Sequence, residues 1–596
     1  MGMKISGAFL IGLIAGSVTI AAAAQQNGMS GIAMDEMHTI PPPEQLPVPI
    51  HMTGLGNSHI TIKATPEAQA WFDQGLNLMH DFWDYEGTKA FEQAVRVDPN
   101  CPMCWWGLAR IEGFRGGPDA VYGKKALAEA VRLKGHAGGA DKLYIEAAEA
   151  EAGKDGKKTT EVEVLRKLVK KYPGELQARI LLAIALEDGY DDKGEPKAGE
   201  KEAIAILEGV LCDAPNDSAA NHYWIHAMEP GNHPERALPS AKLLASLAPT
   251  SGHMVHMPGH IFYRVGDYAD AEHWFAASTE ADERYMHEQH VAADDDWNYV
   301  HNMMYAIANL MEQGRLTDAN ALSDRLAGAR GELSATLYIW STRDQMARLS
   351  NRLPVALRVG DWAGVLAMLV QVSLADGEKT KNLRFLAEEL KDFATGMQAL
   401  EKGDTAAAEV ASARMDAGLW RVDQEKNEAM AAMMKDAKAE KKDDAPKVPI
   451  MPDANASALV SSLSVASLEL RAGVLAAKGK MDDARKLYAT AAKKEKDLGY
   501  HEPPMYVRPV GENEATALLA AKDYAGAKAA YEAALVERPE SGYGLYGLAR
   551  VKELSGDTAG ARAEYEAFLK AWPRADAGLP EVAHAREVVG TAVAER

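Results

Sequence analysis

A residue pattern in this chain recurs every 34 positions. Trp71 is followed by Trp105 at that interval, and Pro215 is followed by Pro249. Near the C-terminus four residues are repeated 34 positions later: Ala527, Tyr531, Ala534 and Pro539 recur as Ala561, Tyr565, Phe568 and Pro573. In such a unit, small residues let two antiparallel helices approach, an aromatic residue fills the space between helix pairs, and a proline ends the unit. The period therefore predicts an all-α fold of stacked helix pairs.

The chain outside the clearest repeats is not uniform. Residues 25–64 contain five prolines between positions 41 and 49 and show no helical period, so an extended N-terminal arm is expected. The other predicted regions are an N-terminal superhelix at 65–330, an irregular helical middle at 331–435, a charged linker at 436–456 and C-terminal helix pairs at 457–596. The expected fold class is an all-α, right-handed solenoid with an irregular middle and an extended arm.

The first 24 residues have the pattern of a secretory signal peptide. Lys4 supplies a positive start, an apolar run continues to Ile20, and Ala22 and Ala24 form a small-residue cleavage pattern before Gln25. This pattern predicts a periplasmic or secreted protein with no membrane span after the signal is removed. The alternative is a retained anchor, which the shortness of the apolar run disfavours.

The formal net charge of −21 limits the classes of partner. An acidic chain repels polyphosphate, and no basic stripe is present, so nucleic acid is not an expected partner. The sequence has no glycine-rich phosphate loop, nucleophile elbow or ordered Ser/His/Asp set. A binding protein is therefore favoured over an enzyme.

Histidines between residues 222 and 301 fall at regular places in the 34-residue unit. The first helix of each pair lines the concave groove, and its groove-facing residues recur at the second, fifth and ninth places. The fifth and ninth places hold His222 and His226 in one unit and His256 and His260 in the next, and second places hold His253 and His301. Two adjacent helices are therefore expected to present histidine pairs at i and i+4 to one inner wall.

Three interpretations of these histidines are open. They can be structural residues that satisfy partners within a packed groove, or they can line a polar groove that binds a peptide, a protein or a small ligand. They can also hold a transition metal, because histidine pairs at i and i+4 are common metal ligands. The candidate metal set is His222, His226, His256 and His260. Imidazole suits copper, zinc or nickel, and nearby methionines slightly favour copper.

Met257, Pro258 and Gly259 interrupt the expected helix that carries His256 and His260. An interior proline costs about 3 kcal/mol relative to alanine, and such broken local rules are expected at functional or strained sites. Alternatively the helix begins at Pro258, since proline is tolerated in a first turn. That start would change the direction in which the histidines face.

The three cysteines are Cys101, Cys104 and Cys212. In an oxidising compartment, Cys101 and Cys104 could form a local disulfide. Covalent haem attachment needs a histidine directly after Cys104, where Trp105 stands, and a dithiol redox pair normally lies in a βαβ unit, which is not expected here. A short disulfide or two buried thiols remain, and Cys212 is expected to be buried.

Four segments carry a resemblance to a known family: residues 71–109, HYWIHAME at 222–229, HMVHMPGHIFYRVGDYADA at 253–271, and residues 499–549. With their 34-residue period they resemble bacterial secreted tetratricopeptide repeat proteins. The resemblance implies an exported helical solenoid but no settled activity. It also implies that His80, Tyr263, Arg264, Tyr506 and Arg508 flank the same cavity as the histidines.

The sequence thus predicts an exported scaffold that binds a peptide, a protein or a small ligand in a concave groove. The alternative is a copper or zinc protein, with catalysis left open. The predicted groove residues are His222, His226, His253, His256, His260, Tyr263, Arg264 and His301.

Overall fold

The computed structural model describes residues 42–116, 121–153, 160–293, 296–329, 342–377, 380–439 and 454–594. The predicted signal peptide, the first part of the arm and the centre of the predicted linker lie outside the described residues. Most described residues are helical, and the extended pairing among them is an antiparallel bridge between Tyr190 and Pro196. The prediction of an all-α helical repeat fold is confirmed.

The first helices follow one another through short connections, which favour antiparallel neighbours. They are α1 Pro66–His80, α2 Asp84–Val97, α3 Pro102–Gly116, α4 Val121–Leu133, α5 Asp141–Glu151, α6 Glu161–Lys171, α7 Leu176–Leu186, α8 Ala198–Asp213, α9 Ser218–Met228, α10 Leu238–Leu247, α11 Gly252–Arg264 and α12 Tyr268–Gln289. Short 3₁₀ helices occur at Pro43–Gln45, Lys134–His136 and Pro234–Ala237.

The remaining helices include two long ones, α18 and α19, in the region predicted to be irregular. They are α13 Trp297–Glu312, α14 Leu316–Ala329, α15 Thr342–Leu349, α16 Leu353–Val359, α17 Trp362–Gln371, α18 Lys381–Glu401, α19 Thr405–Ala439, α20 Ala454–Ala477, α21 Met481–Asp497, α22 Val510–Ala520, α23 Tyr524–Glu537, α24 Gly542–Leu554, α25 Thr558–Ala571 and α26 Pro580–Ala594. The described ends of the predicted linker are thus helical.

The chain forms two compact units. The first comprises Met1–Phe262 and Ala277–Gln289, and the second comprises Tyr263–Ala276 and His290–Arg596. Helices α11 and α12 each contribute residues to both units.

The 34-residue period has a direct packing cause in each unit. In the first unit, the buried Phe91 ring on α2 occupies space left by two glycines: a Cβ would lie 2.8 Å from the ring at Gly75 on α1 and 2.2 Å from it at Gly107 on α3. In the second unit, a Cβ at Gly547 on α24 would lie 2.2 Å from the Tyr531 ring on α23. Because the aromatic ring fills the space of the missing Cβ, each helix pair packs closely on the next.

The described part of the arm, residues 42–64, is bound along the first unit by side chains on α1 and at the start of α9. The amide of Asn77 exchanges two 2.9 Å hydrogen bonds with the backbone of Ser58. The Asn57 side chain accepts a 2.9 Å hydrogen bond from the Ser218 N–H, and the Asn57 N–H donates to the Ser218 hydroxyl at 3.0 Å. After the 3₁₀ helix at Pro43–Gln45, these bonds give the arm a fixed path without a further helix or a sheet.

One described helix segment, Leu459–Ala477 within α20, is long and apolar enough to cross a membrane, with a mean hydropathy of 1.4. Length and composition alone do not establish a membrane span, so the expectation of no span after the signal peptide stays a prediction. Of this segment 56% is buried within the protein, and its buried Glu469 accepts hydrogen bonds from Tyr506 at 2.6 Å and Arg508 at 3.2 Å. A buried, ion-paired carboxylate is the arrangement of a core helix in this unit.

A disulfide joins Cys101 and Cys104, whose Cα atoms are 5.4 Å apart, and both residues are buried at the start of α3. Cys212 is a free cysteine and is exposed. Its expected burial was wrong, because the last turn of α8 turns that position towards solvent.

Candidate functional site

Helix α9 carries the first histidine pair. The Asp217 side chain begins the helix by accepting a 2.8 Å hydrogen bond from the Ala220 N–H, which satisfies a backbone donor that has no partner within the helix. His222 and His226 follow one turn apart on the same face. His222 is fully buried, whereas the side chain of His226 is 22% exposed.

Helix α11 carries three of the predicted site histidines, His253, His256 and His260. Pro258 lies inside this helix, which continues on both sides of it. The alternative in which the helix begins at Pro258 is therefore wrong, and the predicted helical register is retained. His256 and His260 are fully buried, and His253 is 5% exposed.

Three imidazole rings from the two helices meet through their Nε2 atoms. His222 Nε2 lies 3.1 Å from His226 Nε2 and 3.1 Å from His253 Nε2. One potential ligand atom of each of these three residues lies within 4.8 Å of those of the other two. We call this group of three residues the histidine triad.

The outer nitrogens of two triad rings determine where their protons lie. His222 Nδ1 is 2.7 Å from the His80 carbonyl oxygen, and His226 Nδ1 is 2.9 Å from a Glu229 carboxylate oxygen. Carbonyl and carboxylate oxygens only accept hydrogen bonds, so both Nδ1 atoms carry a proton and both Nε2 atoms present a lone pair. The 3.1 Å contact between these Nε2 atoms therefore requires a positive centre, either an added proton or a metal ion.

The contact between His256 and His260 needs neither an added proton nor a metal ion. His260 Nδ1 lies 2.6 Å from the second Glu229 carboxylate oxygen, so the His260 lone pair is at Nε2. That atom lies 2.5 Å from His256 Nε2, which can donate a hydrogen bond to it. One proton between these two nitrogens satisfies the contact, so His256 and His260 need no metal ion. The histidine of α11 whose Nε2 atom joins those of His222 and His226 is His253.

Glu229 links the two helices because each of its oxygens accepts from a histidine of a different helix. The carboxylate is 1% exposed. Burial alone would raise its pKa, but the neighbouring His260 and His226 lower the pKa of Glu229 below its ordinary value. It is therefore an ionised carboxylate that orients two imidazoles.

Burial keeps the central ring neutral. Desolvation, with the nearby His226 and His253, lowers the pKa of His222 well below its usual value. Burial also lowers the pKa of His80 to about 4, although its 2.9 Å hydrogen bond with Gln177 acts in the opposite direction. Neutral imidazole is the form that binds metals.

The triad fits a transition-metal ion. Metal-bound histidines usually direct their second ring nitrogen to a carbonyl or a carboxylate, as His222 and His226 do here. Two nitrogens that each lie about 2.0–2.1 Å from one tetrahedral ion are about 3.3 Å apart, close to the observed 3.1 Å. Three protein ligands would leave a fourth coordination position open.

The turn after α1 has an unusual backbone. Phe82 has φ +59°, a left-handed conformation that residues other than glycine rarely adopt. Its N–H donates to the Met79 carbonyl at 3.3 Å and the Trp83 N–H donates to the Leu78 carbonyl at 2.8 Å, which are the two bonds of a Schellman motif. Holding an L-residue with a side chain in this conformation costs about 1–2 kcal/mol.

This turn brings the Phe82 ring against all three triad histidines. The distances between ring centroids are 4.9 Å to His222, 5.2 Å to His253 and 5.4 Å to His226. The triad is therefore covered by an aromatic side chain on a strained turn.

The other predicted groove residues, Tyr263, Arg264 and His301, belong to the second unit. The Tyr263 ring lies 5.0 Å from that of Tyr305, and the Arg264 guanidinium lies 6.0 Å from the Tyr500 ring. His301 is buried on α13, with Nε2 3.8 Å from a Glu502 carboxylate oxygen. Five of the eight predicted residues are thus brought together within the first unit.

Sequence reasoning did not identify Glu229 or Phe82 as parts of the site, and it placed His80 only at the edge of the cavity. Glu229 had a usable signal, because it follows His226 by three residues at the end of the same helix and can fold back onto that histidine. Phe82 had none, since a positive φ at a phenylalanine is not visible in a sequence.

Comparison with known proteins places one segment in a family. Residues 513–587, which extend from α22 into α26, match the family described as tetratricopeptide repeat. No curated protein matches this chain in sequence.

Similar solved structures include the human IFIT1 dimer with m7Gppp-AAAA, at 14% identity and TM-score 0.33, covering 79% of this chain and 90% of that chain. They also include yeast Tom70, at 13% identity and TM-score 0.25, covering 88% and 96%. The Cut9–Hcn1 hetero-tetramer of APC/C has 13% identity and TM-score 0.24, with the same coverage. At these scores nothing about function follows from the likeness. Residues 513–587 are thus a tetratricopeptide repeat segment within an all-α helical repeat chain.

Proposed function

We propose that this protein is an exported tetratricopeptide repeat protein that binds one transition-metal ion, zinc or copper, at His222, His226 and His253. The observation that carries the proposal is the pair of Nδ1-protonated imidazoles whose Nε2 lone pairs face each other at 3.1 Å. Lone pairs at this distance repel unless a cation lies between them, and imidazole nitrogen is a preferred ligand of both metals.

The surroundings support a metal ion over a proton as the functional occupant. An added proton would be shared between the Nε2 atoms of two histidines. His253 places a third Nε2 atom 3.1 Å from that of His222. Glu229 and the His80 carbonyl orient two of the rings in the way that outer partners orient metal ligands. Three converging imidazoles, two of them oriented by outer partners, are more than one proton requires.

Export is part of the proposal and rests on the signal-like residues 1–24. The disulfide between Cys101 and Cys104 supports it, because disulfides persist in oxidising compartments and are rare in the cytosol.

Metal analysis of untagged protein tests the proposal. After equilibration with zinc or copper(II) and dialysis, we expect one ion per chain in the wild type and less than a tenth of that in a His222→Ala, His226→Ala double variant. The matched control is His233→Ala, which removes a histidine whose side chain is 70% exposed, and it should bind as the wild type does. Wild-type protein that stays metal-free, with an unchanged melting temperature in either metal, would exclude a metal site.

A second role, in binding a peptide, a protein or a small ligand, is favoured by the tetratricopeptide match at 513–587, because such repeats form binding scaffolds. The complete burial of His222, His256 and His260 argues against their direct contact with a peptide. Fluorescence anisotropy with peptide libraries and the full chain tests this role, with the double variant as control. Equal binding by both proteins assigns the partner surface away from the histidines, and no binding by either contradicts the role.

A further inference from the structure

Phe82 adopts a left-handed backbone conformation that is usual for glycine at this place in a turn. The left-handed residue that closes a Schellman motif is usually glycine because it has no Cβ to clash with the backbone. Such a residue persists with a side chain only where its surroundings over-determine it. Here the next residue, Trp83, is buried and packs against Tyr285 at 4.2 Å between ring centroids, which anchors the turn.

The strained conformation directs the Phe82 ring to the triad. Its centroid lies between 4.9 and 5.4 Å from the three rings whose Nε2 atoms converge. Of these rings, His226 is the one with appreciable exposure to solvent, and Phe82 packs directly against it. A glycine at position 82 would relax the turn and leave this side of the triad uncovered.

We propose that Phe82 is a positioning residue that controls how fast the metal ion enters and leaves the triad. This inference rests on the proposed function. Three imidazoles leave one coordination position open, where a water molecule or a competing ligand must bind before the ion can leave. The Phe82 ring packs against all three imidazoles and so limits the space through which water or a competing ligand reaches them.

The alternative is that Phe82 only fills space, and substitutions of graded size separate the two roles. Phe82→Gly and Phe82→Ala both remove the ring, but only glycine relaxes the left-handed turn. The glycine variant should therefore be the more stable of the two without metal, which reverses the usual order of these residues. Both variants should lose zinc equally fast if the ring is the barrier.

The experiment measures zinc release to a chromogenic chelator by stopped flow, using the full chain loaded with one zinc ion. We expect release at least 10-fold faster in Phe82→Gly and Phe82→Ala than in the wild type. Phe82→Tyr, which restores the ring, should release zinc within threefold of the wild-type rate. The matched control is Tyr85→Ala, which removes an aromatic residue that is 37% exposed on α2 and should leave the rate unchanged.

Two outcomes would overturn this inference, and they can be told apart. If the wild type loads one zinc ion and both small variants release it at the wild-type rate, Phe82 is only packing and the metal site stands. If the wild type loads no zinc, the metal site fails and the role of Phe82 fails with it. If a small variant does not fold, Phe82→Leu and the visible spectrum of the cobalt(II)-loaded protein replace it. A wild-type rate in Phe82→Leu with an unchanged spectrum would equally reject the barrier.

Discussion

Each unit of the molecule buries a cluster of polar side chains, and the two clusters differ in whether their own residues supply a positive charge. In the first unit, the lone pairs of His222 and His226 face each other at 3.1 Å, and the charged group that contacts His226 is the Glu229 carboxylate. In the second unit, the buried Arg358 donates to Glu512 at 2.8 Å and to Glu312 at 3.1 Å. The arginine supplies the positive charge that its carboxylates need.

The second-unit cluster is satisfied by its own residues. Arg538 donates to Glu312 at 3.0 Å, and the Ser541 hydroxyl donates to the same carboxylate at 3.2 Å. The Arg358 guanidinium lies 3.9 Å from the centroid of the Tyr543 ring, a cation–π contact. Burial alone would raise the pKa of Glu312, but Arg358 and Arg538 lower it. The comparison teaches that buried charge by itself does not mark a site, because this cluster is complete without a ligand, whereas the facing lone pairs of the first unit support the proposed one.

The largest effect is expected in the second unit. Arg358→Met leaves Glu312 and Glu512 buried without their central cation, so we expect a loss of about 3–5 kcal/mol in the free energy of unfolding. Urea denaturation followed by circular dichroism measures it. Zinc binding per chain should be unchanged in this variant, and a loss below about 1 kcal/mol would show that the cluster is not a structural ion pair.

A smaller change in the first unit should act on metal affinity. Glu229→Gln keeps the shape of the side chain but removes the charge that orients His226 and His260, so zinc affinity should fall about 10–100-fold. Competition titration with a chelator of known affinity measures this change. The control is Glu235→Gln, whose carboxylate bonds the exposed His233. Equal affinities in the two variants would contradict an orienting role for Glu229.

One buried group in each unit, His80 in the first and Glu495 in the second, should make stability depend on pH in opposite directions. The folded pKa of His80 is lowered by burial to about 4, below its unfolded value, so the unfolded state binds more protons in acid and stability falls as pH decreases from about 6.5 towards 4. The folded pKa of Glu495 in the second unit is raised by burial to about 7, so its contribution is lost as pH rises from about 4.5 to 7. Each group contributes at most about 1.4 kcal/mol per pH unit.

Thermal melts at pH 5 and pH 8 test this opposition. His80→Gln should reduce the sensitivity to acid, and Glu495→Gln should raise the melting temperature mainly at pH 8. The same pH response in both variants and the wild type would mean that neither group titrates in these windows.

The smallest effect is expected at a surface pair. Arg562 and Glu566 on α25 form an ion pair at 3.0 Å, with side chains 28% and 53% exposed. Arg562→Ala should change the free energy of unfolding by less than about 0.5 kcal/mol, because solvent screens the pair. A loss comparable to that in Arg358→Met would mean that burial does not distinguish the two pairs.

Much of the fold was accessible from the residue pattern because the repeat is local. An aromatic residue at a fixed place in the unit predicts how one helix pair packs on the next, and the structure places the Phe91 ring against Gly75 and Gly107. The spacing of His222 and His226 likewise predicts one helical face, because 3.6 residues complete a turn. Such inferences need only the geometry of a single helix or of one helix pair.

The site required contacts between residues far apart in sequence. The His80 carbonyl that orients His222 is 142 residues away from it, and no local pattern joins them. The choice of His253 over His256 and His260 depends on how α9 and α11 are aligned, which the repeat frame does not determine. The boundary between the two units, which falls within α11 and α12, was also not predicted.

The sequence by itself determined that helix pairs form and that histidines share one face of α9 and of α11, because these features follow from periodicity and side-chain size. Only the tertiary structure decided which ring nitrogens carry protons, since that depends on the acceptors, the His80 carbonyl and Glu229, that the fold places behind each ring. His222 and His226 carry their protons on the outer nitrogens, so their Nε2 lone pairs are left facing each other.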